Sequence, residues 1–229
     1  PGEGIGNGRA TAIRFAQEGA KILAVDRDIA SAKDTAALVT KEGAECVAFE
    51  ADVTHEATLA EAVDFARRRW GRIDILHNNV GVSVSGGDAP LLDLTEEIFD
   101  RVSSINLRGT MMACKHVIPI MRGQRSGVII NISSIAAWVD YPLVVYKATK
   151  AAMIAFTRQL ALENAAYGVR ANVILPGLMN TPMGVDTRAH ATGKSRETIA
   201  AERDKKVPLR GKMGTAWDVA NAALFLASD

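Results

Sequence analysis

The chain has 229 residues, 48% of them hydrophobic and 23% charged, with a formal net charge of +1. That length and apolar content suffice for one domain with its own core, and the near-neutral balance gives no electrostatic reason to expect a nucleic acid or a membrane surface as partner. Two cysteines far apart, Cys46 and Cys114, and four histidines without ligand spacing predict reduced thiols, no metal and a cytoplasmic setting. No apolar run approaches the roughly 18 residues of a membrane span.

The first stretch, "PGEGIGNGRATA", carries Gly2, Gly4, Gly6 and Gly8 and runs into a helical pattern over residues 9–19. Unpaired N–H groups and the helix dipole make such a loop–helix junction suited to a phosphate. The spacing is not GxGxxG in any register, so a flexible glycine-rich leader is the alternative at this point. "KILAVD" follows, an apolar run ending in Asp26, as a buried parallel strand would. Helix, strand and acid in that order form half of a dinucleotide-binding unit. The strand that should precede the loop is not in the sequence, and we expect the true start to lie upstream.

Further strand-like runs, "ECVAFE", "RIDILH", "GVIINI" and "VRANVILP", alternate with segments long enough for crossover helices. The alternation predicts an α/β fold, a doubly wound parallel sheet with helices on both faces, in a single domain spanning 1–229. Residues 178–212 interrupt the rhythm as a long charged loop, read as a lid over about 183–210. The sequence stops after a helix, where a further strand is expected.

Three short signals stand at strand ends or just beyond them. "YKATK" puts Tyr146 and Lys150 one helical turn apart, where an ammonium near a phenol would lower its pKa and prepare an acid/base. "GVIINISS" delivers Ser133 and Ser134 to the carboxyl end of a strand, the end at which open α/β sheets bind ligands. "ILHNNVG" ends another strand with Asn78, Asn79, Val80 and Gly81. Each alone is equally an ordinary turn or a solvated Tyr–Lys neighbourhood.

Taken in order, the glycine loop, the acid after the strand, "ADV", "NNVG", "SINLRG", "NISS", "YKATK" and "NVILPGLMNTPM" resemble the short-chain dehydrogenases/reductases along essentially the whole chain. The resemblance implies a Rossmann-type seven-stranded sheet, a nicotinamide cofactor, and an oligomer, tetramer or dimer. It implies a catalytic set of Asn106, Ser134, Tyr146 and Lys150. Tyr146 would be the acid/base and Ser134 would bond the reacting oxygen. Lys150 would lower the phenol's pKa and hold the nicotinamide ribose, and Asn106 would support a water. Gly2, Gly6 and Gly8 would approach the pyrophosphate, with Pro1 standing where the family usually has Thr. Asp52 and Val53 would border the adenine. Asn78, Val80 and Gly81 would lie along the cofactor, and Pro176, Gly177 and Thr181 would frame the nicotinamide. The family's commonest spacing to the tyrosine points to Ser133 and the motif position to Ser134. We take Ser134, because deleting a loop residue is easier than inverting a strand's faces.

The expected activity is hydride transfer between NAD or NADP and a secondary alcohol or ketone. The alternatives are a catalytically silent nucleotide-binding scaffold of the same fold and an unrelated α/β protein such as a methyltransferase. Asp26 favours NAD, since its carboxylate can take the ribose hydroxyls and repel a 2′-phosphate, while Arg27 could instead embrace that phosphate. Trp138, Tyr141, Met179 and Met183, with Ser134 and Tyr146, are expected to line a pocket for an apolar substrate body. Trp138 and Tyr141 could equally pack on a neighbouring subunit. Arg188, Lys194, Arg196 and Arg203 read as a solvated lid face.

Overall fold

A computed structural model describes residues 4–229; Gly2 lies outside the described residues. The elements alternate as the patterning predicts. Helix α1 (Asn7–Gln17) leads into strand β1 (Ile22–Asp26), then α2 (Ile29–Lys41), β2 (Cys46–Glu50), α3 (Glu56–Trp70) and β3 (Ile75–Asn78). Helix α4 (Glu96–Ser103) passes through a π-helical turn, Ser104–Arg108, into α5 (Gly109–Gln124), followed by β4 (Gly127–Ile132), α6 (Val144–Asn164) and β5 (Val169–Ile174). The remainder is β6 (Met179–Asn180), a second π-turn at Pro182–Asp186, α7 (Thr187–Thr192), α8 (Arg196–Asp204), β7 (Gly214–Thr215) and α9 (Ala216–Ala227).

All strand pairs are parallel: β1 with β2, β3 with β4, β4 with β5, and the two-residue β6 with β7. Strand β4 is buried along its whole length, and its side chains sort by parity. Val128, Ile130 and Ile132 pack with Phe15 of α1 and Val219 and Ala223 of α9. Ile129 faces the opposite way, into Cys114, Val117 and Met121 of α5 and Leu160 of α6. A strand covered on both faces reads as an unbroken apolar run for this reason. Cys114 sits so deep that burial pushes its thiol up to about 12, and both cysteines are free.

The structure differs from a seven-stranded sheet. Among the described residues no ladder joins β1 to β3. Leu23, Ala24, Ile75 and His77 are among the residues that line a cleft of about 1930 Å³. The His77 ring lies edge-on to Phe15, and burial pushes it down to about 4, so it is neutral there. The strand expected ahead of the glycine loop would fall outside the described residues. The segment 178–212 also departs from the expected loop: it folds into a π-turn and two helices, anchored by Val185, Ile199 and Met213 packing together.

Candidate active site

The cleft opens at the carboxyl ends of β1, β3 and β4, where parallel strands stop and the following helices begin. At one side stands the start of α1. Gly6 occupies its N-cap position in extended conformation with no side-chain cap, so the first-turn N–H groups have no side-chain acceptor. A Cβ on Gly6 would meet nothing within 4 Å, leaving the backbone bare toward the cleft, whereas one on Gly8 would come within 2.7 Å of the Asn79 side chain. Gly8 thus lets α1 close on the loop after β3, and Gly6 leaves room for a ligand. Such a helix start suits a phosphate.

Opposite lies the Tyr146 wall. The first turn of α6 is tied down by Asp88, a buried carboxylate accepting N–H bonds from Tyr146 (2.7 Å), Val145 (3.3 Å) and Ala89 (2.9 Å). Nothing in "GGDAP" marks this acid, because its partners are 57 and 58 residues away. Asp88→Ala would strand three buried donors and should lower unfolding stability by about 2 kcal/mol, with Asp88→Asn costing less. Denaturant titration of the two variants checks the order.

Tyr146 is 9% exposed. Burial is the largest influence on its phenol and raises the pKa; the neighbouring Ser134 hydroxyl and the Arg188 charge lower it, and Tyr141 raises it. This corrects the expected depression by Lys150. The Lys150 amine is 5.7 Å from the Tyr146 ring centre and donates to the Ile132 carbonyl at 2.6 Å. Its own burial pushes it down to about 8, which weakens the charge it can lend.

The two serines part company. The Ser133 hydroxyl is buried and donates to the Lys150 carbonyl at 2.6 Å, bracing β4 against α6. The Ser134 hydroxyl accepts from the Ala136 N–H at 3.1 Å and adjoins the Tyr146 phenol on the cleft side. Asn106 sits within the π-turn, fully buried, its amide exchanging hydrogen bonds with both backbone groups of Val82 and donating to Thr149. Extra π-turns inside helices recur at functional sites. A Cβ on Gly81 would press within 3.2 Å of the Lys150 amine, so the loop after β3 packs directly on that group.

The remaining expected residues spread along the cleft. Asp26 and Arg27 close the β1 end, and Val53, Val80, Pro176, Gly177 and Thr181 line it further on. Asp52 also borders the cleft, with its carboxylate turned into its own Thr54 N–H and hydroxyl, which holds its pKa down. Asn78 donates to Asn131 at 2.8 Å, so its amide braces β3 on β4. Thr181 caps the π-turn through Gly184 N–H at 3.1 Å. Met179 and Met183 line the cleft, and Met179 also packs on the core. Trp138 is 73% exposed. The Tyr141 ring lies 5.5 Å from that of Tyr146, its hydroxyl bonded to Ser83 and Arg188.

The solvated lid face holds for only part of its residues. Lys194 pairs with Glu202 and Arg196 with Asp186, but Arg188 and Arg203 are half-buried in the cleft wall. Sequence gives no signal for that, since α7 and α8 are polar on most of their surface.

Comparison with known proteins follows the same lines. Residues 3–229 match the family model described as Enoyl-(Acyl carrier protein) reductase. The 3-oxoacyl-[acyl-carrier-protein] reductase of Thermotoga maritima is 36% identical over 100% of this chain and 88% of its own length. A solved short-chain dehydrogenase/reductase from Burkholderia xenovorans superimposes with a TM-score of 0.92 at 42% identity, covering 100% of this chain and 86% of that one. An NAD+-bound xylitol dehydrogenase superimposes with a TM-score of 0.88 at 31% identity, covering 98% of this chain and 89% of that one.

Proposed function

The chain belongs to the short-chain dehydrogenase/reductase family, and we propose that its cleft binds a nicotinamide dinucleotide and interconverts a secondary alcohol and a ketone. Similar proteins named for a 3-oxoacyl group and for xylitol act on a ketone and an alcohol. When bound, the cofactor supplies or accepts the hydride. The bare Gly6 backbone and uncapped α1 fit its pyrophosphate, and Val53, Val80, Gly81, Pro176, Gly177 and Thr181 offer the walls along its length.

This chain's own residues handle the proton. In reduction the Tyr146 hydroxyl gives its proton to the carbonyl oxygen, and the Ser134 hydroxyl donates a hydrogen bond to the same atom. In oxidation the Tyr146 phenolate takes the alcohol proton and becomes the phenol. Lys150 lies behind Tyr146 with a pKa near the working range, able to pass a proton and to donate to a ribose hydroxyl. Asn106 holds the loop that packs on Lys150. The reading is carried by one juxtaposition: the Ser134 hydroxyl and the buried Tyr146 phenol meet at the end of β4, in the cleft that α1 opens onto.

Incubation with NAD or NADP and a panel of secondary alcohols, watching for reduced cofactor, tests it; no turnover of any alcohol or ketone with either cofactor rejects it in favour of a silent nucleotide-binding protein. The serines supply a finer check. Ser134→Ala should lower kcat by about 10²-fold, as loss of a donor to the reacting oxygen does. Ser133→Ala should leave kcat within a few-fold and cost about 1 kcal/mol of stability. A larger kcat loss for Ser133→Ala exchanges the assignments.

The cofactor preference we assign is NAD over NADP, and the assembly a homo-oligomer. Leu91 at 69%, Leu92 at 97% and Phe225 at 80% exposed are large apolar side chains that a second copy would cover. Light scattering on the eluted protein reads the state.

A further inference from the structure

Two guanidinium groups line the cleft on the Tyr146 side, and neither forms an ion pair among the described residues. Arg188 is held in place from three directions: it donates to the carbonyls of Met183 (3.0 Å) and Gly184 (3.2 Å) and to the Tyr141 hydroxyl (3.1 Å). Its charge reaches the Tyr146 phenol. The Arg203 guanidinium, near the end of α8, makes no hydrogen bond or ion pair among the described residues, and its Nε is sealed from solvent with no partner. Burial first, and the Arg188 charge second, push its guanidinium down to about 10. Lys206 joins the same wall.

The acids of this region are engaged elsewhere. Asp186 holds Arg196 through one carboxylate oxygen, its other oxygen being buried without a hydrogen-bond partner among the described residues; Glu202 holds Lys194, and Asp204 accepts the Met213 N–H at 2.8 Å. Asp140, which lines the cleft from the loop before α6, forms no ion pair with either arginine. A partly desolvated cation beside a second cation is unfavourable unless an anion arrives from outside. The planar fork of a guanidinium matches carboxylate and phosphate oxygens, two bonds at a time. The cofactor's pyrophosphate is a poor candidate for that anion, since the α1 helix start already suits it, whereas Arg188 is tied through Tyr141 to the Tyr146 ring.

We propose that Arg203 and Arg188, with Lys206 at the rim, form an oxyanion-binding subsite, and that the substrate is a secondary alcohol or ketone carrying a carboxylate or phosphate at the end away from the reacting carbon. This rests on the alcohol–ketone reading above and narrows its substrate class. It replaces the wholly apolar substrate body with one that has a charged terminus, the methionines contacting the carbons between.

Matched methyl ketones test it, one of each pair ending in carboxylate or phosphate and the other in a methyl group at similar length. In the wild-type protein kcat/KM should favour the anionic member about ten- to hundredfold, the range expected of charge-assisted bonds in a partly exposed site. The ratio should collapse toward one in Arg203→Gln and fall only partway in Arg203→Lys, which keeps the charge without the fork and serves should the glutamine variant not fold. The carboxylate and phosphate arms show which oxyanion the site prefers. Equal kcat/KM within the wild-type pairs, or a ratio untouched by Arg203→Gln, overturns the subsite. So does weaker NAD+ binding by Arg203→Gln without substrate, which would give the arginine to the cofactor. Should no ketone turn over with either cofactor, the redox reading fails and calorimetry decides the subsite independently. Tighter binding of the anionic ketone to NAD+-mixed protein, lost in Arg203→Gln, supports it, and equal binding of both members overturns it.

Discussion

Tyr146→Phe should lower kcat by about 10²–10⁴-fold, the range for loss of a general acid/base, while cofactor affinity stays close to wild type. The substitution deletes one hydroxyl from a side chain that is 9% exposed and rests against the Tyr141 ring, so packing is kept and the loss reads the proton step. The pH dependence sharpens this. Alcohol oxidation needs the phenolate, and burial outweighs the Ser134 and Arg188 contributions and holds the phenol above its ordinary value. Oxidation in the wild type should therefore climb as pH rises and fade on the acid side. Reduction, which needs the phenol protonated, should not share that alkaline climb. Phe at this position removes the climb along with the rate. Near wild-type kcat in Tyr146→Phe would place the acid/base elsewhere, and the free Lys150 amine, at about 8, would be the group to examine next.

Lys150 also carries a stability signature. Its folded pKa of about 8 lies below the ordinary 10.5, so between those values the unfolded chain binds the proton that the folded chain has released. Stability should rise with pH across that window through this group. Lys150→Met should flatten that rise, as denaturant midpoints taken at several pH values would reveal.

The sheet is legible because its strands are short apolar runs, a pattern that "GVIINI" and "VRANVILP" carry without help from their neighbours, and the first of them is buried along its whole length. The Tyr146–Lys150 pair was legible as spacing but not as geometry. Helical periodicity puts both residues on one face, yet the amine reaches for the Ile132 carbonyl, an acceptor supplied by a strand 18 residues earlier. Asp88 carries no local signal for the same reason: its role exists only once the chain brings it to the start of α6. The sequence pattern reads α7 and α8 as loop because each buries so little, Ile199 being the only buried residue of α8, and their charges mask the two arginines turned inward. Long-range hydrogen bonds and the burial of charged groups are properties of the assembled fold, and the local pattern carries no trace of them.

NAD should be preferred over NADP by about ten- to a thousandfold in kcat/KM, and Asp26 should set that preference. The residue ends β1 half-buried at the cleft. One carboxylate oxygen accepts the Asp28 N–H at 3.0 Å, which fixes the group's direction. The other has no hydrogen-bond partner among the described residues, leaving it open to ribose hydroxyls. The hollow that adjoins the cleft beside Arg27 is bordered by Asp28, Glu50 and Asp52, with Arg27 the one cation among its lining residues. Arg27 is exposed and already acts on Asp52, and Arg9 of α1, which also lines the cleft, is engaged with Thr35 and Ser31. Three surrounding carboxylates against one solvated arginine favour the uncharged ribose. Asp26→Ala should weaken NAD and, with Arg27 kept, admit NADP, so the ratio of kcat/KM for the two cofactors moves toward one. Adding Arg27→Ala to that variant should then take NADP away again. Equal kcat/KM for the two cofactors in the wild type, or a lead for NADP, would give the choice to Arg27 and leave Asp26 the lesser part of closing its own turn onto Asp28.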